Sequence, residues 1–120
     1  MERYREFHRV VFGVDDAYPD TERMDASFLR KYCKDAKDFI DKHPDKFLWC
    51  GEFGTIRHIN IKHRENWMRD MISVLKEWDI PYCVWNYLST PNDGNRFSLV
   101  NDDSRKLLSE EMEKIIKGEF

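Results

Sequence analysis

The sequence has 120 residues, room for one compact domain and too few for two. A hydrophobic share of 41% beside a charged share of 36% excludes a disordered chain, and no apolar run approaches the ~20 residues of a membrane-spanning helix. The net charge of −3, with both signs intermingled, provides no basic stripe, so neither nucleic acid nor a membrane is an expected partner.

In chain order, Met1-Glu2-Arg3-Tyr4-Arg5-Glu6 has no apolar core and does not read as a signal peptide. That leaves localisation open and is compatible with export of a longer parent protein. Residues 1–25 have two readings: a partial strand at Val10-Val11-Phe12-Gly13-Val14, or a long surface loop that continues through Ala17-Tyr18-Pro19-Asp20. From Ser27 to His43, Phe28, Leu29, Tyr32, Cys33, Ala36, Phe39 and Ile40 recur at helical spacing. Asp25 or Ser27 supplies a cap, and His43-Pro44-Asp45 ends the helix. The run Lys34-Asp35-Ala36-Lys37-Asp38 is its solvated face.

Lys46-Phe47-Leu48-Trp49-Cys50-Gly51 is nearly continuous in apolar residues, the pattern of a strand buried on both faces in a parallel sheet. A second helix is expected over Lys62–Trp78, with Trp67, Met68, Met71, Ile72, Leu75 and Trp78 inward. A second buried strand covers Ile80–Asn86, with Pro81 tolerated near its beginning. Ser89–Asn95 is a loop by composition, and a third helix is expected over Asp103–Lys117. Helices alternating with buried strands across short connections predict an α/β fold with parallel strands and flanking helices. Two parallel strands alone leave unpaired edges, so the chain either pairs with further copies, as a homo-oligomer through strand edges, or belongs to a larger sheet.

Cys33, Cys50 and Cys83 form no CxxC pair and sit in apolar patterns, which predicts buried, inert thiols rather than a zinc site. Asp15-Asp16 and Asp102-Asp103 are isolated acidic pairs without further ligands, so no metal and no cofactor is expected. Eight phenylalanines, five tyrosines and four tryptophans are many for this length. They serve either a core or sugar-stacking platforms. Trp49 and Trp78 are assigned to the core.

The segment with the most chemistry is Leu48-Trp49-Cys50-Gly51-Glu52-Phe53-Gly54. It ends a strand in a carboxylate bracketed by glycines, which admit close approach by backbone or ligand. Trp85-Asn86-Tyr87 ends the following strand, bringing an aromatic and an amide to the same rim. Catalytic groups in barrel folds stand at such carboxyl ends. The bland alternatives are a surface carboxylate for Glu52 and a core indole for Trp85.

Gly51-Glu52-Phe53-Gly54 resembles the nucleophile motif of glycoside hydrolase family 5, the cellulase family. Tyr82-Cys83-Val84-Trp85-Asn86-Tyr87 resembles that family's last barrel strand, whose tryptophan lines the sugar subsite beside the scissile bond. Trp67-Met68-Arg69-Asp70-Met71-Ile72 resembles its penultimate helix, and Tyr18-Pro19 and Phe97-Ser98-Leu99-Val100 also fit. The resemblance covers roughly residues 18–117.

It implies that residues 1–120 are one partial catalytic domain, the last strands and helices of a (β/α)8 TIM barrel. It also implies that Glu52 is the nucleophile of a retaining endo-glycosidase acting on β-glucan or a related polysaccharide. Trp85 and Asn86 would bind substrate. His58 is a further candidate, with a solvated loop side chain as its alternative, and the same alternative applies to His63. Asn92 and Asn95 are explained equally by turn chemistry. The family's acid/base is a glutamate after an asparagine at the end of an earlier strand. Here there is no Asn-Glu-Pro, and Glu65-Asn66 is reversed and lies in a helical pattern. A whole barrel takes ~250 residues, so the chain alone is expected to be inactive. The other class weighed is a non-catalytic carbohydrate-binding or self-assembling α/β module.

Overall fold

The structure is a computed structural model that describes residues 25–90, 92 and 96–120. The strand expected at Val10–Val14, together with Asp15-Asp16, Tyr18-Pro19 and Asn95, lies outside the described residues. In order, the elements are α1 (Ala26–Tyr32), α2 (Lys34–Lys42), β1 (Cys50–Phe53), α3 (Ile61–Glu77), β2 (Tyr82–Val84) and α4 (Glu110–Ile116).

Asp25 caps α1, its carboxylate accepting from the amides of Ser27 and Phe28 at 2.9 and 3.4 Å. The single helix expected over 27–43 is broken at Cys33, whose φ and ψ of −92° and 14° fall outside the helical region. Its apolar stripe divides accordingly. Leu29 is buried and Phe28, Cys33 and Ile40 pack around it, while Tyr32 and Phe39 face outward. On the solvated side of α2, Lys34 pairs with Asp38 and Lys37 with Asp41, one turn apart.

The long helix α3 is the centre of the domain. Asn60 caps it by accepting from Lys62 N at 2.9 Å. One side carries Met71, Val74 and Leu75 into a cluster with Leu29 and Ile80. The other carries Met68 and Ile72 against Leu99, Met112 and Ile115. Each fully buried aliphatic side chain contributes about 1.5–3 kcal/mol of transfer free energy.

Beneath these clusters β1 and β2 pair in parallel, with Cys50 opposite Tyr82 and Phe53 opposite Val84. Between those pairs β1 takes one residue more than β2, a bulge. Strict alternation would send Cys50 and Phe53 to opposite faces. The extra residue lets both join Tyr82 and Val84 on the side that packs against the helices.

Burial on both faces of the strands, as expected, is not found. Glu52 and Cys83, on the face away from the helices, are exposed, because no layer among the described residues covers that face. Trp49, placed in the core by its sequence context, precedes the ladder and is 56% exposed. Trp78 is half-buried and does pack on the core. Both strands are also shorter than expected. Leu48 and Trp49 precede the ladder, which begins where Cys50 N donates to Pro81 O at 2.8 Å.

The last helix starts later than the expected Asp103. Asn101 Oδ1 accepts from the amides of Asp103 and Ser104 at 3.0 and 3.2 Å, a local turn that competes with helix initiation. Leu107 then pairs with Val100 in an isolated antiparallel bridge. Only at Ser109, whose hydroxyl accepts from Met112 N at 3.1 Å, is a cap available. Among the described residues no helix is long and apolar enough to cross a membrane.

Candidate functional site

The exits of β1 and β2 are joined by main chain. Trp85 N donates to Phe53 O at 2.7 Å, extending the ladder one residue beyond β2. Since Phe53 and Val84 face the helices, alternation turns Glu52 and Trp85 to the opposite face, which no layer among the described residues covers. Both are exposed there, Trp85 by 44% of its surface. Cys83 lies on the same face and is exposed, and with Cys33 and Cys50 only partly buried the expectation of three buried thiols fails. Cys33 and Cys50 are half-buried, and burial pushes both thiols above their ordinary pKa.

The two glycines that bracket Glu52 are not equivalent. A Cβ on Gly54 would stand 1.9 Å from the Trp85 carbonyl oxygen and 3.3 Å from Phe97 Cδ1. Gly54 is therefore required by the close approach of the two strand exits. A Cβ on Gly51 would meet nothing nearer than the Trp49 ring at 3.9 Å.

Asn86 is half-buried, and its side chain is turned into its own loop. Its Oδ1 accepts from Ser89 Oγ at 3.0 Å, and its Nδ2 lies 3.5 Å from Leu88 O. Main-chain Asn86 O also accepts from Leu99 N at 3.1 Å, and the Trp85-Asn86 peptide is cis. His58 is exposed in the turn after β1, and Asn92 is exposed in the loop after β2. Tyr87, 60% exposed and two residues beyond Trp85, adds a second aromatic surface to this rim. Its aromatic type just beyond the strand's end was the available signal.

Charged residues fasten the two rim loops from behind. Arg57 N donates to Arg96 O at 2.6 Å, and both side chains converge on Asp102, each at 2.9 Å. The hydrogen bond from Arg57, with the charge of Arg96, holds the Asp102 carboxyl below its ordinary pKa. Asp102 is thus committed to two guanidinium groups. Among the described residues no three potential ligands gather as a metal site would require.

Deeper, Arg64 is 1% exposed and donates to Thr55 Oγ1 at 2.9 Å and to Ser98 O at 3.1 Å. Burial, together with the nearby Arg57 charge, lowers its pKa to about 10. Glu65, also buried, accepts from Lys62 Nζ at 2.8 Å and from Ser109 Oγ at 2.5 Å. An apolar pocket of about 200 Å³ is lined by Cys33, Leu48, Trp49, Cys50, Trp78 and Ile80. Those residues lie where the strands begin, so the pocket is at the end of the sheet away from Glu52.

No protein-family model matches the chain. Among curated proteins it is similar to endoglucanase C of Acetivibrio thermocellus, at 38% identity over 94 residues. Endoglucanase C307 of Clostridium sp. (strain F1) is likewise 38% identical over 94 residues. Each match takes in 78% of this chain, which spans about 25% of the length of those relatives.

Among solved structures, a hyperthermophilic endo-beta-1,4-glucanase crystallised in complex with substrate superposes with a TM-score of 0.63 at 14% identity. That superposition covers 77% of this chain and 27% of the other. A second structure, an endoglucanase, gives 0.62 at 13% identity over 85% of this chain and 34% of its own. At such identities the likeness is one of fold. The chain is thus a mixed helix and strand protein with parallel strands, homologous over most of its length to proteins named endoglucanase.

Proposed function

We propose that the chain is the C-terminal portion of the catalytic (β/α)8 barrel of a retaining endo-glycosidase of glycoside hydrolase family 5, with Glu52 as nucleophile. The observation that carries this reading is the turning of Glu52 and Trp85 to one uncovered face at adjoining strand exits, in a chain homologous to endoglucanases. In this role the Glu52 carboxylate attacks the anomeric carbon and forms a glycosyl ester as the leaving oxygen departs. Trp85 stacks on the sugar bonded at that carbon, with Tyr87 extending the platform. His58 reaches sugar hydroxyls from the rim, while the Asn86 amide, engaged by Ser89 and Leu88, holds the loop that carries Trp85. The substrate class is β-linked glucan or a related polysaccharide.

A retaining mechanism needs a second carboxyl ~5–5.5 Å from the nucleophile to protonate the departing oxygen. Such an acid works with a raised pKa. Glu65 is buried against Lys62 and Ser109, and Asp102 is held down by two arginines, so both environments stabilise the ionised form. Neither suits the acid/base role, which this reading assigns to an earlier strand of the barrel. Loss of general acid catalysis costs ~10²–10⁴-fold, which makes the isolated chain ineffective on unactivated glucan. Comparing dinitrophenyl β-cellobioside with cellulose tests this. Slow, Glu52-dependent release of dinitrophenol with no cleavage of cellulose supports the reading. Rapid cleavage of cellulose by purified chain would refute it.

A second reading is favoured by one observation. Among the described residues the two-stranded sheet has a free edge on each side, and Trp49, Trp85 and Tyr87 are exposed. Such edges template pairing with another copy. In that case the chain is a carbohydrate-binding or self-assembling module. A concentration-independent monomer in light scattering would count against it.

A further inference from the structure

Arg64 sits in the first turn of α3, where a helix residue next to a core is ordinarily either apolar and buried or charged and solvated. It is neither. Its guanidinium is buried, and its hydrogen-bond partners are a hydroxyl and two carbonyls: Thr55 Oγ1 at 2.9 Å, Ser98 O at 3.1 Å and Phe97 O at 3.5 Å. Burying a cation against neutral acceptors is unfavourable compared with filling the same volume by an aliphatic side chain. What the arginine adds is a planar fork. Nε serves the segment leaving β1, and Nη2 serves the segment returning after the β2 loop.

Both ends of that fork lead to the proposed site. Thr55 adjoins Gly54, the residue pressed against the Trp85 carbonyl, and lies three positions past Glu52. On the other side, Ser98 Oγ accepts from Ser89 N at 3.0 Å. Ser89 Oγ in turn accepts from Phe97 N at 3.0 Å and donates to Asn86 Oδ1 at 3.0 Å. Asn86 is bonded directly to Trp85. The network is closed and buried along most of its length. The Arg57–Asp102–Arg96 tie is more exposed and therefore more screened.

We propose that Arg64 is a positioning residue: by bridging Thr55 and the Ser98 segment it fixes the Trp85 loop against the exit of β1, and so sets where the indole stands relative to Glu52. It touches neither sugar nor reacting atoms. The sugar-binding consequence rests on the reading given under Proposed function, whereas the positioning of Trp85 does not.

The test is ¹⁹F NMR on the full chain labelled with 5-fluorotryptophan, with Trp85→Phe assigning the Trp85 line. Arg64→Lys keeps the charge but cannot span both segments. It is expected to shift or broaden the Trp85 line while leaving the Trp78 line in place. Thr55→Val, which removes one acceptor without changing volume, is expected to do the same to a smaller extent, and it serves alone should Arg64→Lys not fold. Val74→Ala, a cavity in the same helix remote from the rim, destabilises the chain but should leave the Trp85 line where it is. If both network variants leave Trp85 unmoved, or Val74→Ala moves it equally, Arg64 has only a structural role and the inference is overturned.

Adding cellotetraose provides a separate arm. A wild-type Trp85 line that titrates with the sugar, and an affinity about tenfold weaker in Arg64→Lys, support the positioning of a sugar platform. A wild-type line that ignores the sugar while Arg64→Lys still displaces it leaves the positioning standing and removes the glycosidase reading instead.

Discussion

Gly54→Ala perturbs the contact that joins the two strand exits, and its effect follows from the structure. The new methyl would stand 1.9 Å from the Trp85 carbonyl oxygen and 3.1 Å from the carbonyl carbon. The obstacle is backbone, so no rotamer change relieves it. Reaching ordinary contact at 3.4 Å takes a retreat of about 1.5 Å. The 2.7 Å bond from Trp85 N to Phe53 O does not survive a separation of that size. Overpacking costs ~1–3 kcal/mol and the lost hydrogen bond ~0.5–1.5 kcal/mol. Reduced freedom of the unfolded chain returns ~0.4–1 kcal/mol. The expected net loss is about 2–3 kcal/mol, a large part of a total stability of ~5–15 kcal/mol.

Gly51→Ala is the matched control, since its methyl meets only Trp49 ring atoms at 3.9 and 4.0 Å. Its change should be no more than the ~0.4–1 kcal/mol that reduced freedom of the unfolded chain supplies. Urea unfolding followed by far-ultraviolet circular dichroism reads both, provided the m-values agree. Equal midpoints for the two alanine variants would refute the claim that Gly54 is held by the Trp85 backbone.

At Glu65, burial alone would raise the pKa, but hydrogen bonds from Lys62 and Ser109 outweigh it and hold the carboxyl below its ordinary value. A depressed folded pKa means stability that is present above the unfolded value of 4.5 and lost as pH falls through the folded one. Glu65→Gln should therefore cost ~1–3 kcal/mol at pH 7 and flatten the acid limb of stability, as urea midpoints between pH 7 and pH 3 would record. Parallel profiles for the two proteins would contradict this. Cys83, exposed on the bare face, should react with Ellman's reagent in one fast phase. Cys33 and Cys50, with pKa values raised by burial, should react only slowly. Loss of the fast phase in Cys83→Ser would confirm the assignment, and three equal rates would contradict it.

Features carried by local pattern were legible in the sequence. The period of Met68, Met71, Ile72 and Leu75 announces α3, and Asp25 before an apolar period announces the cap of α1. Short apolar runs between helices announce parallel strands. Features that depend on a distant partner were not legible. Nothing in the local pattern marks Arg64, whose acceptor Ser98 lies 34 positions away. Trp49 reads as core because its neighbours are apolar, yet it stands just before the ladder and is more than half exposed. Leu107 fits a helical period but is taken by its bridge to Val100. At the rim, Glu52 and Trp85 were legible as a pair, whereas the Asn86 side chain is claimed by Ser89, an interaction no spacing rule anticipates.

The proposed role of Glu52 as nucleophile is tested most directly by peptide mass mapping after incubation with a 2-deoxy-2-fluoro-β-cellobioside bearing a dinitrophenyl leaving group, whose departure needs no acid. One stable glycosyl ester is expected, on the peptide and residue of Glu52, absent from Glu52→Gln. An adduct on a different carboxylate, or none under conditions where a complete endoglucanase is labelled, would contradict it.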